Sequence, residues 1–166
     1  MREEVVVPFV AGAARAVSAV RGTLIASSIL SLRAHGYYEA CEALGLAAHV
    51  QRTIGEEVGD RAQKTFFGFL IRSARTAGVT PWIAFGYAHR ARERMYQGGD
   101  VSVVKVGPKE ARVTCVGLPF VRIPYFRHGF VGVQAAGLRL FTSKVYVREL
   151  VELGTETTLV TAISWV

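Results

Sequence analysis

The sequence predicts an α+β fold, in which a helical part, residues 1–99, precedes a strand-rich part, residues 100–166. Three observations support this class. Apolar residues before Asp100 recur without strand-like alternation and are punctuated by glycines. Runs of β-branched residues begin directly after Asp100, and two turn sequences each separate two such runs. The order β-β-α-β-β predicts one four-stranded antiparallel sheet covered by the N-terminal helices.

Glycines mark the first helices. Residues 8–19 and 23–34 are rich in Ala, Val, Ser and Leu, and Gly22 and Gly36 follow them, which predicts two helices. A third helix is expected over residues 37–46. Residues 47–59 lose clear periodicity, so we interpret them as a short helix between loops.

Capping residues mark two later helix starts. Asp60 is a good N-cap, and the apolar residues after it keep helical spacing as far as Gly78. Thr80 and Pro81 supply an N-cap and a proline at the first helical position. This pair predicts a helix from Pro81 to about Gln97.

Two hairpins and one helix are predicted in the second part. Residues 101–106 and 111–116 form the first hairpin, and the alternating segments 144–152 and 157–165 form the second. Between them, the small residues within 125–140 suit a helix that packs closely on a sheet. These small residues are Gly129, Gly132, Ala135, Ala136 and Gly137.

The composition indicates one domain with a surplus of apolar side chains. Of the 166 residues, 51% are hydrophobic, and a chain of this length builds a single core over residues 1–166. We interpret the apolar surplus as the interface of a homo-oligomer, most simply a dimer. Arg15, Arg21 and Arg33 interrupt the apolar stretches near the N-terminus, so no membrane span is expected. The N-terminus lacks a secretory pattern, which favours a cytoplasmic location.

The layout of the second part resembles a known family. Pro119 and Pro124 bracket a short link, a glycine-rich helix follows around Gly129 and Gly132, and the last strand ends in Ile163-Ser164-Trp165. This pattern is similar to a large paralogous family of myxobacterial proteins of unknown function. The resemblance covers roughly residues 22–166 and includes no polar signature of a particular chemistry.

The order of elements also resembles a wider group. That group includes the 4-vinyl reductase sensor domain, the haem nitric-oxide-binding domain and the core subunits of the TRAPP vesicle-tethering complex. The resemblance implies a regulatory domain that dimerises through helices and holds an apolar ligand between helices and sheet. The chain lacks the tyrosine, serine and arginine motif with which haem-binding members hold the propionates, so no cofactor is expected.

Aromatic residues on the predicted later helices are the candidates for a ligand pocket. Stepping by three or four residues places Trp82, Phe85, His89 and Tyr96 on one helix face. His89 could ligate a metal or titrate near neutral pH, or it could be a hydrogen-bonded structural residue. The full candidate set is Phe66, Phe69, Trp82, Phe85, His89 and Tyr96.

Basic residues supply the candidates for an anion site. The net charge is +7, but the basic residues are spread along the chain, and only Arg90, Arg92 and Arg94 form a dense group. These three could contact phosphates, or they could form a solvated helix face. Arg122 and Arg127 could together hold a carboxylate or phosphate.

No motif of catalysis or metal binding occurs in the sequence. There is no nucleophile elbow or phosphate-binding glycine loop, and Cys41 and Cys115 lack the spacing of a zinc site. We therefore interpret the chain as a non-enzymatic, homodimeric binding or regulatory module for an apolar small molecule or a protein partner. The alternative is a protein that binds nucleic acid or an anionic surface through a basic helix face.

Overall fold

The computed structural model describes residues 35–62, 80–86, 99–118 and 120–166. Four helical segments and four strands occur in these ranges. They are α1 (residues 35–42), α2 (Ala48–Ala62), α3 (Pro81–Gly86), β1 (Asp100–Gly107), β2 (Glu110–Val116), α4 (Pro124–Leu138), β3 (Val145–Glu149) and β4 (Thr158–Trp165), with a 3-10 turn at Val151–Leu153. The helices predicted at 8–19 and 23–34 lie outside the described residues. Among the described residues, no helix has an apolar stretch of the length that a bilayer span requires.

The predicted four-stranded antiparallel sheet is confirmed. Its strand order is β1-β2-β4-β3, and all three neighbouring pairs are antiparallel. The two predicted hairpins, β1–β2 and β3–β4, are therefore present. They meet through the pairing of β2 with β4, which places the last strand in the middle of the sheet.

The core lies between α4 and one face of the sheet, which we call the inner face. Side chains alternate between the two faces of each strand, so Ala111, Val113 and Cys115 of β2 are buried while Arg112 between them is exposed. On α4, Val131, Ala135 and Leu138 are buried in the same cluster. The apolar alternation of β2, β3 and β4 thus decides which face α4 covers.

The helix predicted within residues 47–59 is present but longer than expected, and the loops predicted beside it were wrong. Residues 48–59 belong to α2, a helix of 15 residues, and Asp60 lies inside that helix and does not cap a new one. Most of the helix predicted from Asp60 to Gly78 lies outside the described residues. Glycines weaken a helix by about 1 kcal/mol each, which is why Gly55 and Gly59 suggested breaks. Both glycines lie where α2 contacts α4, and their small size allows the two helices to approach closely.

Small residues allow α2 and α4 to approach closely. A Cβ built on Gly55 would lie 1.9 Å from the carbonyl oxygen of Gly129, and one on Gly132 would lie 2.1 Å from the carbonyl oxygen of Arg52. The helix predicted around Gly129 and Gly132 is confirmed. Its glycines, however, face another helix and not the sheet.

The predicted start of the helix at Pro81 is also confirmed. The amide of Ile83 donates to the carbonyl of Thr80 over 3.0 Å, and Pro81 occupies the first helical position. The described part of this helix ends at Gly86, and its predicted continuation to Gln97 lies outside the described residues.

Candidate functional site

A groove runs along β4 on the face of the sheet opposite α4, which we call the outer face. Ala162 of β4 pairs with Arg112 of β2 on one side and with Arg148 of β3 on the other. Residues paired in this way project to the same face, so a small side chain lies between two long ones. The two arginine Cα atoms are separated by two strand spacings, or about 10 Å.

The next pairs along β4 extend the groove. Ser164 pairs with Glu110 on β2 and with Tyr146 on β3. The floor of the groove is therefore Ala162 and Ser164, and its walls are charged or aromatic. At the end of β3, Val151 and Leu153 of the 3-10 turn are 62% and 48% exposed, which adds an apolar surface.

This groove is part of an open concavity of about 1150 Å³. Its lining residues come from both faces of the sheet and include residues of β3, one of the two edge strands. On the far side of that edge it reaches α2 and α4. The lining residues there include His49, Arg52 and His128.

The two groove arginines have no counter-ion among the described residues. Both are exposed, and neither takes part in an ion pair with another described residue. The carboxylate of Glu110 lies over the β1–β2 turn, where its Oε2 is 3.3 Å from the position of a Cβ built on Gly107. That carboxylate is thus directed toward β1 and away from the floor at Ala162.

Trp82 and Phe85, which the sequence suggested for a pocket, contact the inner face of the sheet. Their ring centroids lie 5.0 and 6.0 Å from that of Trp165. The indole nitrogen of Trp82 donates to the carbonyl of Pro108 over 3.0 Å, and the Lys105 ammonium lies 5.3 Å from the Trp82 ring. Both rings pack against the core. Phe66, Phe69, His89 and Tyr96 lie outside the described residues, so their role stays a prediction.

Arg122 and Arg127 contact different residues in the structure and do not share a partner. Arg127 donates from Nε to Oε1 of Glu149 over 2.8 Å, and its Nη2 also contacts that carboxylate. Arg122 lies 2.5 Å from His35 Nε2 and 3.9 Å from a carboxylate oxygen of Glu39. Arg90, Arg92 and Arg94 lie outside the described residues.

Two tyrosines and a cysteine form a polar cluster between α1 and α4. Burial raises the pKa of Tyr125 to about 12, with the Cys41 thiol as a further cause. The pKa of Tyr37 is also raised, mainly by its hydrogen bond to Cys41. Both shifts therefore favour the neutral form of the phenols. The adjacent Glu42 accepts a hydrogen bond of 2.6 Å from the Tyr125 amide, which ties α1 to the first turn of α4.

The comparisons with known proteins give a layout only. No protein-family model matches this chain, and no curated protein matches it significantly. Three similar solved structures are of H-NOX proteins: a Cs H-NOX mutant with 4-cyano-L-phenylalanine (15% identity, TM-score 0.49), one from a study of heme distortion (19%, 0.48) and a mutant of T. tengcongensis H-NOX (18%, 0.47). Each similarity covers 69% of this chain, which spans 61–63% of the other chain and thus less than two thirds of it.

Aromatic side chains occupy part of the region between the helices and the sheet. Trp82 packs on Trp165 of the sheet, with ring centroids 5.0 Å apart, and Tyr38 of α1 lies 5.1 Å from Phe126 of α4. His35 is already engaged by Arg122 and by Glu39, whose carboxylate lies 3.0 Å from its Nε2. Within the described ranges, no group of three His, Cys, Asp or Glu residues is placed to hold a metal.

Proposed function

We propose that this protein is a non-enzymatic binding module, which takes a small molecule into the groove on the outer face of its sheet. The observation that carries the proposal is the small floor of Ala162 and Ser164 between the longer side chains of Arg112 and Arg148. The groove is pre-formed, because the strand pairing fixes the positions of its floor and walls. Pre-formed concave surfaces with a few polar groups beside apolar ones are typical of small-molecule sites.

We further propose that the module is a regulatory homodimer, which associates through its helices. Large apolar side chains are exposed on the helical side of the molecule: Leu44 is 67% exposed, Tyr37 61%, Val58 55% and Ile83 48%. Burying such side chains between two copies would account for the apolar surplus of the composition. An interface on the helical side leaves the outer face of the sheet accessible to a ligand. Ligand binding on that face could then regulate the binding of a protein partner.

Native mass spectrometry tests the proposal, because one spectrum reports the oligomeric mass and any bound molecule. Ala162→Trp should fill the floor and remove the extra mass of a co-purified ligand. Ser102→Trp is the matched control, since Ser102 is exposed on β1 of the same sheet and lies outside the groove. It should keep the extra mass.

Three results would contradict the proposal. A bound small molecule that survives Ala162→Trp would place its site elsewhere. A protein without any bound molecule, which instead shifts in mass with an oligonucleotide, would favour the nucleic-acid alternative. A monomer at all concentrations by light scattering would contradict the homodimer, but it would not bear on the groove.

A further inference from the structure

We infer that the groove selects an anion, and that Arg112 and Arg148 hold a carboxylate or phosphate group whose apolar body extends toward Val151 and Leu153. This inference rests on the proposed function and names the chemical class of the ligand. Guanidinium groups form paired, charge-assisted hydrogen bonds with carboxylates and phosphates. Two of them on opposite walls can contact one anion from both sides.

The strand register brings the two arginines together. Each is paired with Ala162, so the methyl group between them leaves the space above the floor free. Each guanidinium has to reach about one strand spacing, near 5 Å, to meet over the centre of β4. Without an anion the two like charges repel each other, and a shared anion removes that repulsion.

Hydroxyl donors complete the set on the same face. Ser164 lies two residues after Ala162 on β4, and Tyr146 is its partner on β3. Neither hydroxyl makes a hydrogen bond to another described residue, and both kinds of hydroxyl donate readily to an anion. The groove therefore offers donors from three strands.

The nearby carboxylates do not neutralise this set. Glu110 is turned toward Gly107, and Glu149 accepts two hydrogen bonds from Arg127 on the other face of β3. Glu152 is exposed in the 3-10 turn, beyond the paired part of β3. The two arginines thus have no carboxylate partner among the described residues, while the end of the groove at the 3-10 turn combines apolar side chains with one carboxylate.

Calorimetric titration with four probes that each have an eight-carbon chain tests the inference. Octyl phosphate and octanoate should bind, whereas octanol should bind more weakly and octyltrimethylammonium weakest of all. Arg112→Gln and Arg148→Gln should each weaken octyl phosphate binding about tenfold, because each removes charge-assisted hydrogen bonds. Arg112→Lys should restore part of the affinity, since the charge returns without the planar fork.

Arg61→Gln is the matched control, because it removes the same charge from an 81% exposed side chain at the end of α2. It should change the affinity less than twofold. An equal loss in this control would show that only the net charge matters, and would overturn the inference. Octanol binding as tightly as octyl phosphate would overturn it too, while leaving the groove as a site for apolar ligands.

Failure of the proposed function gives a different pattern. In that case none of the four probes binds, or binding survives Ala162→Trp. Vesicles of phosphatidylcholine with phosphatidylglycerol distinguish a lipid headgroup from a free anion. Vesicle binding that falls in both arginine variants supports the anion site with a lipid source, and vesicle binding that both variants retain contradicts it.

Discussion

Gly132 is a position where one methyl group decides the fit of two helices. A Cβ there would lie 2.1 Å from the Arg52 carbonyl oxygen and 2.8 Å from the Glu56 nitrogen, both backbone atoms that cannot rotate away. We expect Gly132→Ala to lower the free energy of unfolding by about 3 kcal/mol, because α2 and α4 must separate. Urea denaturation measures the change.

Gly137 provides the control on the same helix. A Cβ built there meets nothing within 4 Å, so Gly137→Ala should raise the free energy of unfolding by roughly 0.5–1 kcal/mol through helix propensity. Equal effects of the two substitutions would contradict the close contact of α2 with α4.

Tyr125 makes the free energy of unfolding depend on pH in the alkaline range. Its pKa is raised from 10.0 to about 12 in the folded state, chiefly by burial, so the folded protein holds this proton more tightly than the unfolded chain does. The resulting stabilisation is complete below pH 10.0 and is lost as the pH rises toward about 12. The free energy of unfolding should fall more steeply over this range in the wild type than in Tyr125→Phe. A wild-type slope in Tyr125→Phe would rule the effect out.

At the scale of elements, the pair of Arg127 and Glu149 joins α4 to the edge strand β3. Their side chains are 26% and 11% exposed, so removing one partner leaves a largely buried charge. Arg127→Met should lower the free energy of unfolding by about 2 kcal/mol, somewhat less than for a fully buried pair. Adding Glu149→Leu should recover most of that loss, since no unpaired charge then remains.

The exposed pair of Arg61 and Glu57 is the matched comparison. Both side chains are more than half exposed, and the charged atoms lie 3.7 Å apart. Arg61→Met should therefore change the free energy of unfolding by less than about 0.5 kcal/mol. A loss as large as that of Arg127→Met would mean that burial does not set the strength of these pairs.

Helix α2 shows why local sequence patterns predicted some helices and strands correctly and not others. Thr80 with Pro81, and the β-branched runs after Asp100, signal their structures through nearby residues, and those predictions are confirmed. Gly55 and Gly59 signal a break when only their own propensity is considered. Their role depends on α4, which is distant in sequence, so the 15-residue helix could not be inferred from its own residues.

At the scale of the molecule, the groove could be predicted only in part for the same reason. The alternation of β2 and β3 indicates that Arg112 and Arg148 face away from the buried valines. It does not indicate that both pair with Ala162, because this depends on the insertion of β4 between β2 and β3. The sequence therefore directed attention to the aromatic residues of the helices, and the sheet register then brought the two arginines together.

The position of the binding site can be tested by the change in backbone amide chemical shifts when octyl phosphate is added to the protein. A ligand in the outer-face groove should produce its largest changes at Arg112, Arg148 and Ala162. If the largest changes instead occur at Trp82, Phe85 and Trp165, the ligand lies against the inner face of the sheet, and the outer-face groove is not the binding site.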